Sequence, residues 1–294
     1  MVRKSFLQRF SRRLDKFISS LFFLDQGVVM TAPRRGGLLQ WADFRPLVPP
    51  SDRYWADPFV VERGSHYYVF IEEKLYRTGR GRIACLILDG EGSLLSSQVV
   101  LERPYHLSYP FIFEYRRQIY MLPEAAQNRA VELYRCARFP DQWEFVKTLM
   151  SGVYAADATL LEHGGRWWLF ANVKGAGGSS LDALHLFQAD SPLSETWKPH
   201  PRSPVVTDLA SARPAGRIFM RDGNLIRPSQ DCSRRYGYAL KFNRIVRLNE
   251  ADYEEVCEWT LDPPRRGRIL ATHTFNEAGG MTVIDAVIRR RRKW

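Results

Sequence analysis

The chain is short of cysteine, of long apolar runs and of helical periodicity, and each shortage narrows what it can be. Four cysteines occur in 294 residues, Cys85, Cys136, Cys232 and Cys257. None forms a C-x-x-C pair and the spacings match no zinc module, so no metal ligands are read among them. Buried or half-buried free thiols in a reducing compartment are expected. No apolar run approaches the ~18 residues of a membrane span. The stretch Phe17 to Leu24 is short, holds two serines and lacks an A-x-A-like cleavage site, so it does not read as a secretory signal. The expected location is cytoplasmic. Residues 50–288 show little of the 3.6-residue apolar rhythm that a helical solenoid needs.

Positive charge is plentiful but badly placed for nucleic acid. The net charge is +11. Residues 1–16 carry a surplus of five, through Arg3, Lys4, Arg9, Arg12, Arg13 and Lys16 against Asp15. Arg289 to Lys293 add another five, leaving the body between nearly neutral. A duplex-binding surface needs its cations on the folded body, so no nucleic-acid partner is expected. Basic ends suit an anionic membrane surface or simple solubility. Leu7, Phe10, Leu14, Phe17 and Leu21 would share one face of a helix opposite those basic residues. Residues 1–25 therefore read as a basic amphipathic helix or linker. Its segment 3–24 would lie at the inner face of a membrane or dock on a protein. Residues 289–294 read as a solvated basic tail.

Apolar residues make up 45% of the chain and aromatic residues 13%, enough to fill a large core. They are organised by a repeat. A-D-P-F-V-V-E-R-G-S-H-Y-Y-V-F-I-E-E from Ala56, S-Y-P-F-I-F-E-Y-R-R-Q-I-Y-M-L-P-E-A from Ser108 and A-D-A-T-L-L-E-H-G-G-R-W-W-L-F-A-N-V from Ala156 align without gaps. A fourth copy from Ala212 needs about two inserted residues, and a weaker fifth starts at Thr272. Each copy reads as a β-hairpin, with Val, Ile, Phe, Tyr and Trp in the strands and Gly at the turn. Further strand-like runs, such as Ile83–Leu88 and Val131–Cys136, make four strands per unit. Units about 48 to 60 residues apart have the size of a propeller blade. The expected fold is all-β, a single five-bladed β-propeller over 26–288. The stretch Gly27 to Val48, with strand-like Val28–Met30 and Leu38–Trp41, is expected to complete the last blade.

Polar positions that recur but differ between copies point to a site. One column holds Asp57, Tyr109, Asp157, Arg213 and His273, where each innermost strand begins. A second, fifteen residues later, holds Glu72, Glu124, Asn172 and, allowing for the insertion, Gln230, with Asp231 adjacent. Asp57 before Pro58 would also serve as a strand cap or Asx-turn, and any one of these residues alone is explained that way. Five blades aiming polar groups at one axis are better explained by a hydroxyl-rich ligand at the channel mouth. Paired carboxyls there suit glycosidic-bond chemistry, one donating a proton and the other activating water or attacking carbon. Asp57 is the first candidate base and Glu124 the first candidate acid, with Asp157 tuning both and Asp231 the rival acid. Glu72, Tyr109, Asn172, Arg213, Gln230 and His273 are candidate substrate contacts, joined by Trp55 and Arg227 from the flanking motifs. Nothing in the pattern requires a cofactor.

The W-A-D-P-F opening at Trp55–Phe59 and the hairpin repeats resemble the five-bladed glycosidases of the arabinanase, xylosidase and invertase type. That resemblance implies catalytic roles for Asp57 and Asp157, while its match to a glutamate acid is loose. A closer resemblance covers about residues 38–287. S-Y-P-F-I-F-E, D-A-T-L-L-E-H-G-G-R-W-W-L-F-A-N, S-A-R-P-A-G-R-I-F and R-P-S-Q-D-C-S-R-R-Y-G-Y-A-L are similar to the N-terminal domain of plant glucosamine inositolphosphorylceramide transferases and its stand-alone bacterial relatives. The resemblance implies a propeller linked to glycan or glycolipid assembly. It does not reach the plant proteins' separate glycosyltransferase domain, so transferase activity is not carried over. No D-x-D motif in a nucleotide-sugar-binding α/β pattern is visible. Three readings stand: a sugar-cleaving or sugar-transferring enzyme, a non-catalytic glycan-binding module serving a glycosyltransferase partner, and a membrane-associated scaffold with a vestigial site.

Overall fold

Alternating and continuous runs of β-branched and aromatic residues give strands throughout. The computed structural model describes residues 23–34, 37, 39–175 and 178–291. Two strands come first, β1 (Phe23–Pro33) and β2 (Arg45–Leu47). Blade 1 follows with β3 (Arg53–Arg63), β4 (His66–Leu75), β5 (Gly81–Leu88) and β6 (Leu94–Leu101). Blade 2 is β7 (Ser108–Tyr115), β8 (Gln118–Ala125), β9 (Ala130–Arg138) and β10 (Gln142–Ser151). Blade 3 is β11 (Ala155–His163), β12 (Arg166–Val173), β13 (Leu184–Ala189) and β14 (Lys198–Pro199). Blade 4 is β15 (Phe219–Arg221), β16 (Asn224–Asp231), β17 (Ala239–Leu248) and β18 (Tyr253–Leu261). The last strands are β19 (Ile269–Ala271), β20 (Phe275–Ala278) and β21 (Met281–Arg291). Blades 1 to 4 are antiparallel sheets in sequence order, and the sheet of β19, β20, β21, β1 and β2 completes a five-bladed propeller.

Blade 5 closes the ring. Its β20 and β21 are joined by β1 and then β2, with Phe23 opposite Arg291 and Pro33 opposite Met281. Both sequence-derived boundaries, 26 and 288, fall inside these two strands. Arg289 to Arg291 are ladder residues rather than a tail, and Arg289 Nε lies 2.9 Å from Asp25 Oδ1. Of the expected strand at Leu38–Trp41, the described residues Leu39–Trp41 form none. Trp41–Asp43 is a 3₁₀ turn, held where Trp41 Nε1 donates to Asp262 O at 2.7 Å. The amphipathic segment, apart from its last residues in β1, and residues 292–294 lie outside the described residues. Among the described residues no helix is long and apolar enough to cross a membrane.

Inner strands are sandwiched between neighbouring blades and so are apolar on both faces, as in Val69–Phe70–Ile71. The outermost β6 is exposed over most of its length. The apolar core follows the gaps between blades, one cluster running through blades 1, 2 and 3 and another joining blades 4 and 5. Of the four cysteines, Cys85, Cys136 and Cys232 are buried and Cys257 is exposed, where all four were expected buried or half-buried.

The repeat hides a shared irregularity. The ladders slip between Ala56 and Phe59, between Ser108 and Phe111, and between Ala156 and Thr159. Each slip is a β-bulge centred on the first polar column. Asp57, Tyr109 and Asp157 there have φ of 51°, 43° and 54°, left-handed values uncommon outside glycine. Strain held at equivalent points of three blades turns these residues toward the axis. In blade 4 the innermost strand is interrupted instead, and Phe275 N donates to Ala215 O at 2.7 Å. A Cβ on Gly216 would stand 1.9 Å from Phe275 O, so this crossing requires glycine.

Tyr109 turns its phenol across the channel. Gly216 N donates to its hydroxyl at 2.7 Å, and the hydroxyl lies 2.8 Å from Thr159 Oγ1. Thr159 Oγ1 spends its own proton on Asp157 O at 3.1 Å, so Tyr109 is the donor to Thr159. One buried ring thus ties blade 2 to blades 3 and 4. Tyr109→Phe should leave the Gly216 N–H and a Thr159 lone pair unpaired and cost about 1–3 kcal/mol in urea unfolding.

Candidate functional site

A cavity of about 340 Å³ opens where the innermost strands begin. Five residues expected from the columns line it: Asp57, Glu72, Glu124, Arg213 and His273. The two columns meet because each return strand ends beside the start of its own innermost strand, as Ala56 opposite Glu72 and Ser108 opposite Glu124 show.

Asp57 is buried, at 6% exposure, and each of its carboxylate oxygens accepts a hydrogen bond. Thr274 Oγ1 donates to Oδ1 at 2.8 Å and Tyr109 N to Oδ2 at 3.2 Å. Behind it His273 Nδ1 lies 2.7 Å from Asp285 Oδ2 and 3.5 Å from Asp57 Oδ1. Asp285 also accepts from the backbone of Asp57, His273 and Thr274. Burial pushes the Asp57 carboxyl up to about 7; His273 opposes this, while Glu72, Asp157 and Asp285 add to it. Burial works against the His273 charge, but Asp285 and Asp57 outweigh it and lift the ring to about 9. Asp285 stays low, because His273 and the backbone donors overcome the cost of burial.

On the other wall Arg213 joins two carboxyls. Its Nε donates to Asp157 Oδ2 at 2.6 Å, and its Nη2 lies 3.4 Å from Glu124 Oε2. Gln230 Nε2 also donates to Asp157 Oδ2 at 3.1 Å, and Asp157 N donates to Glu124 Oε2 at 3.2 Å. Burial, reinforced by Asp157 and opposed by Arg213, holds the Glu124 carboxyl well above its ordinary value. Tyr236 covers the guanidinium with its ring centroid 5.1 Å away, and faces His273 at 5.6 Å. At the entrance His106 Nδ1 accepts from Gly81 N at 2.9 Å. Its proton therefore sits on Nε2, which reaches Glu72 Oε1 at 3.2 Å.

Other expected residues lie elsewhere. Asp157 and Gln230 are buried behind the cavity wall and act on it through Arg213 and Glu124. Tyr109 reaches the cavity only through its backbone N–H; its ring plugs the channel. Asn172 is wholly buried in blade 3, with no hydrogen-bond partner for its amide among the described residues. Trp55 is a core residue between blades 5 and 1, with Nε1 donating to Glu73 Oε2 at 3.1 Å. Arg227 is buried against Glu255, which accepts from its Nε at 2.7 Å. Asp231 caps its own turn, accepting from Ser233 Oγ at 2.6 Å, and does not line the cavity. Asp285, Thr274, Lys74, His106 and Tyr236 were missed. Asp285 had a signal, a single acid within the apolar run Val283–Val287, but the fifth hairpin is shorter than the others and shifts it out of the column.

One group has metal-ligand spacing among the described residues: Asp57, His273 and Asp285, with donor atoms within 4.8 Å of one another. His273 Nδ1 is already bound to Asp285, so the group is self-satisfied as an ion pair with a neighbouring acid.

Residues 41–273 match the family model described as glucosamine inositolphosphorylceramide transferase 1, N-terminal. Glucosamine inositolphosphorylceramide transferase 1 of Oryza sativa subsp. japonica is 36% identical over 218 residues, covering 72% of this chain and 29% of its own length. The protein of that name from Arabidopsis thaliana is 34% identical over 220 residues, 73% of this chain and 28% of its own. The chain thus spans less than a third of these relatives. Among solved structures, the fold is similar to that of the RS223 β-xylosidase, with TM-score 0.57, 14% identity, and coverage of 80% of this chain and 84% of the other. It is also similar to a family 117 glycoside hydrolase from Zobellia galactanivorans, with TM-score 0.56, 11% identity, and coverage of 89% and 90%.

Proposed function

Because the chain belongs to the family of the N-terminal domain of glucosamine inositolphosphorylceramide transferase 1 and has a propeller fold shared with glycoside hydrolases, we propose that its cavity binds a sugar and works on a glycosidic bond, in glycan or glycolipid assembly. The observation that carries this reading is the opening of Asp57 and Glu124 onto one cavity, with both carboxyls raised by burial. Groups tuned apart from their ordinary values in one cleft are candidate acid and base.

Glu124, held neutral, donates its proton to the oxygen leaving the anomeric carbon as that C–O bond breaks. Asp57, ionised above about pH 7, takes the proton of the attacking water or acceptor hydroxyl. Asp157 touches neither partner in this step; anchored by Arg213 and Gln230, it fixes Glu124 through its backbone N–H. The base must be ionised and the acid protonated. The rate with an aryl glycoside is therefore expected to rise about tenfold per pH unit below 7 and to level off above it, until Glu124 ionises. An acidic optimum, with the rate falling between pH 5 and 7, would remove Asp57 as the base.

One contact favours a second reading, a glycan-binding module. Arg213 lies against Glu124 and favours its anion, which weakens it as a proton donor. Under that reading no aryl glycoside is turned over at any pH, while glycans still bind and Asp57→Asn weakens them.

A further inference from the structure

The cavity contains one cation that the protein leaves unspent. Lys74, near the end of β4, lines the cavity and is half-buried. Three carboxyls line the same cavity, yet each is taken: Asp57 by Thr274 and Tyr109, Glu72 by His106, Glu124 by Arg213 and the Asp157 backbone. Among the described residues Lys74 makes no ion pair and no side-chain hydrogen bond. The cavity's other cations are spoken for, Arg213 by Asp157 and His273 by Asp285. A half-buried ammonium facing a cleft gains most from an anion brought by the ligand, because a charge-assisted bond there is shielded from water.

We propose that Lys74 receives an anionic substituent of the sugar, a phosphate or a carboxylate, while the neutral ring lies over the Asp57–Glu124 floor. This rests on the sugar-binding reading above and adds the charge of the ligand to it. Lys74 is a specificity residue in this arrangement and takes no part in proton transfer.

The test is a set of matched ligands: glucose, galactose and mannose, each as the methyl glycoside, the uronate, the 6-phosphate and the methyl 6-phosphodiester, titrated at low salt. For at least one sugar the wild-type protein should bind an anionic form about tenfold more tightly than the neutral one, the worth of one charge-assisted contact. Lys74→Gln should bring that ratio close to one, and Lys74→Arg should retain it. The uronate, monoester and diester arms distinguish a sugar acid, a free sugar phosphate and a lipid-type or nucleotide-type diester. Equal binding of neutral and anionic forms by the wild type overturns the inference and leaves the sugar site standing. So does a preference that survives Lys74→Gln. If no sugar of either charge binds, the sugar-binding reading itself falls.

Discussion

Asp57→Asn is expected to reduce turnover by at least about 10³-fold, toward the upper range for loss of a positioned general base. The substitution keeps the shape and the hydrogen bond from Thr274 to Oδ1, but sets an amide where Tyr109 N now donates. It also removes the carboxyl that titrates near 7, so the residual rate should lose its rise between pH 6 and 8. Single-turnover kinetics with an aryl glycoside separates the two effects, since sugar affinity should change far less than the chemical step. A variant that retains more than a tenth of the wild-type rate with an unaltered pH profile excludes Asp57 as the base.

Arg213→Met is expected to be the most damaging single change to stability at the site. It strands Asp157 and Glu124 in a buried wall without their shared cation. Breaking a buried pair on one side costs about 3–5 kcal/mol, roughly 5–10 °C in Tm for a chain of this size. The stranded carboxyls would bind protons more tightly in the folded than in the unfolded state. Stability of the variant should therefore increase as pH falls from 7 to 5, narrowing the gap to wild type. A Tm within about 2 °C of wild type at pH 7 would show that the guanidinium is not what holds this wall together.

Architecture was legible because the three gapless copies place equivalent residues at equivalent points of three blades, down to the bulges at Asp57, Tyr109 and Asp157. The same periodicity, pressed further, would have removed two wrong assignments. Side chains alternate along a strand, so once Gln230 faces Asp157, Asp231 and Arg227 must face the other way. Trp55, a candidate substrate contact by its motif, is a large apolar ring beside a blade interface and so first a core residue, as it is here. What sequence comparison within the chain could not reach are groups supplied by connections rather than by the repeat. Tyr236 and His106 sit on loops of unlike length, and nothing local tells that one covers Arg213 and the other orients Glu72. Lys74 lies one residue past the aligned segment, where the two other gapless copies hold Ala126 and Lys174, so a search for polar positions shared within the segment passes over it.

The ring is clasped by a pairing that runs from Pro33 opposite Met281 up to Phe23 opposite Arg291. That direction is toward the cavity opening. Gly27 sits so close to Tyr54, a lining residue, that a Cβ there would stand 2.4 Å from the ring. Both strands therefore leave the disc side by side on its upper face, away from the lower end of the channel. Anything attached at the far end of either strand would lie on the entrance side of the disc.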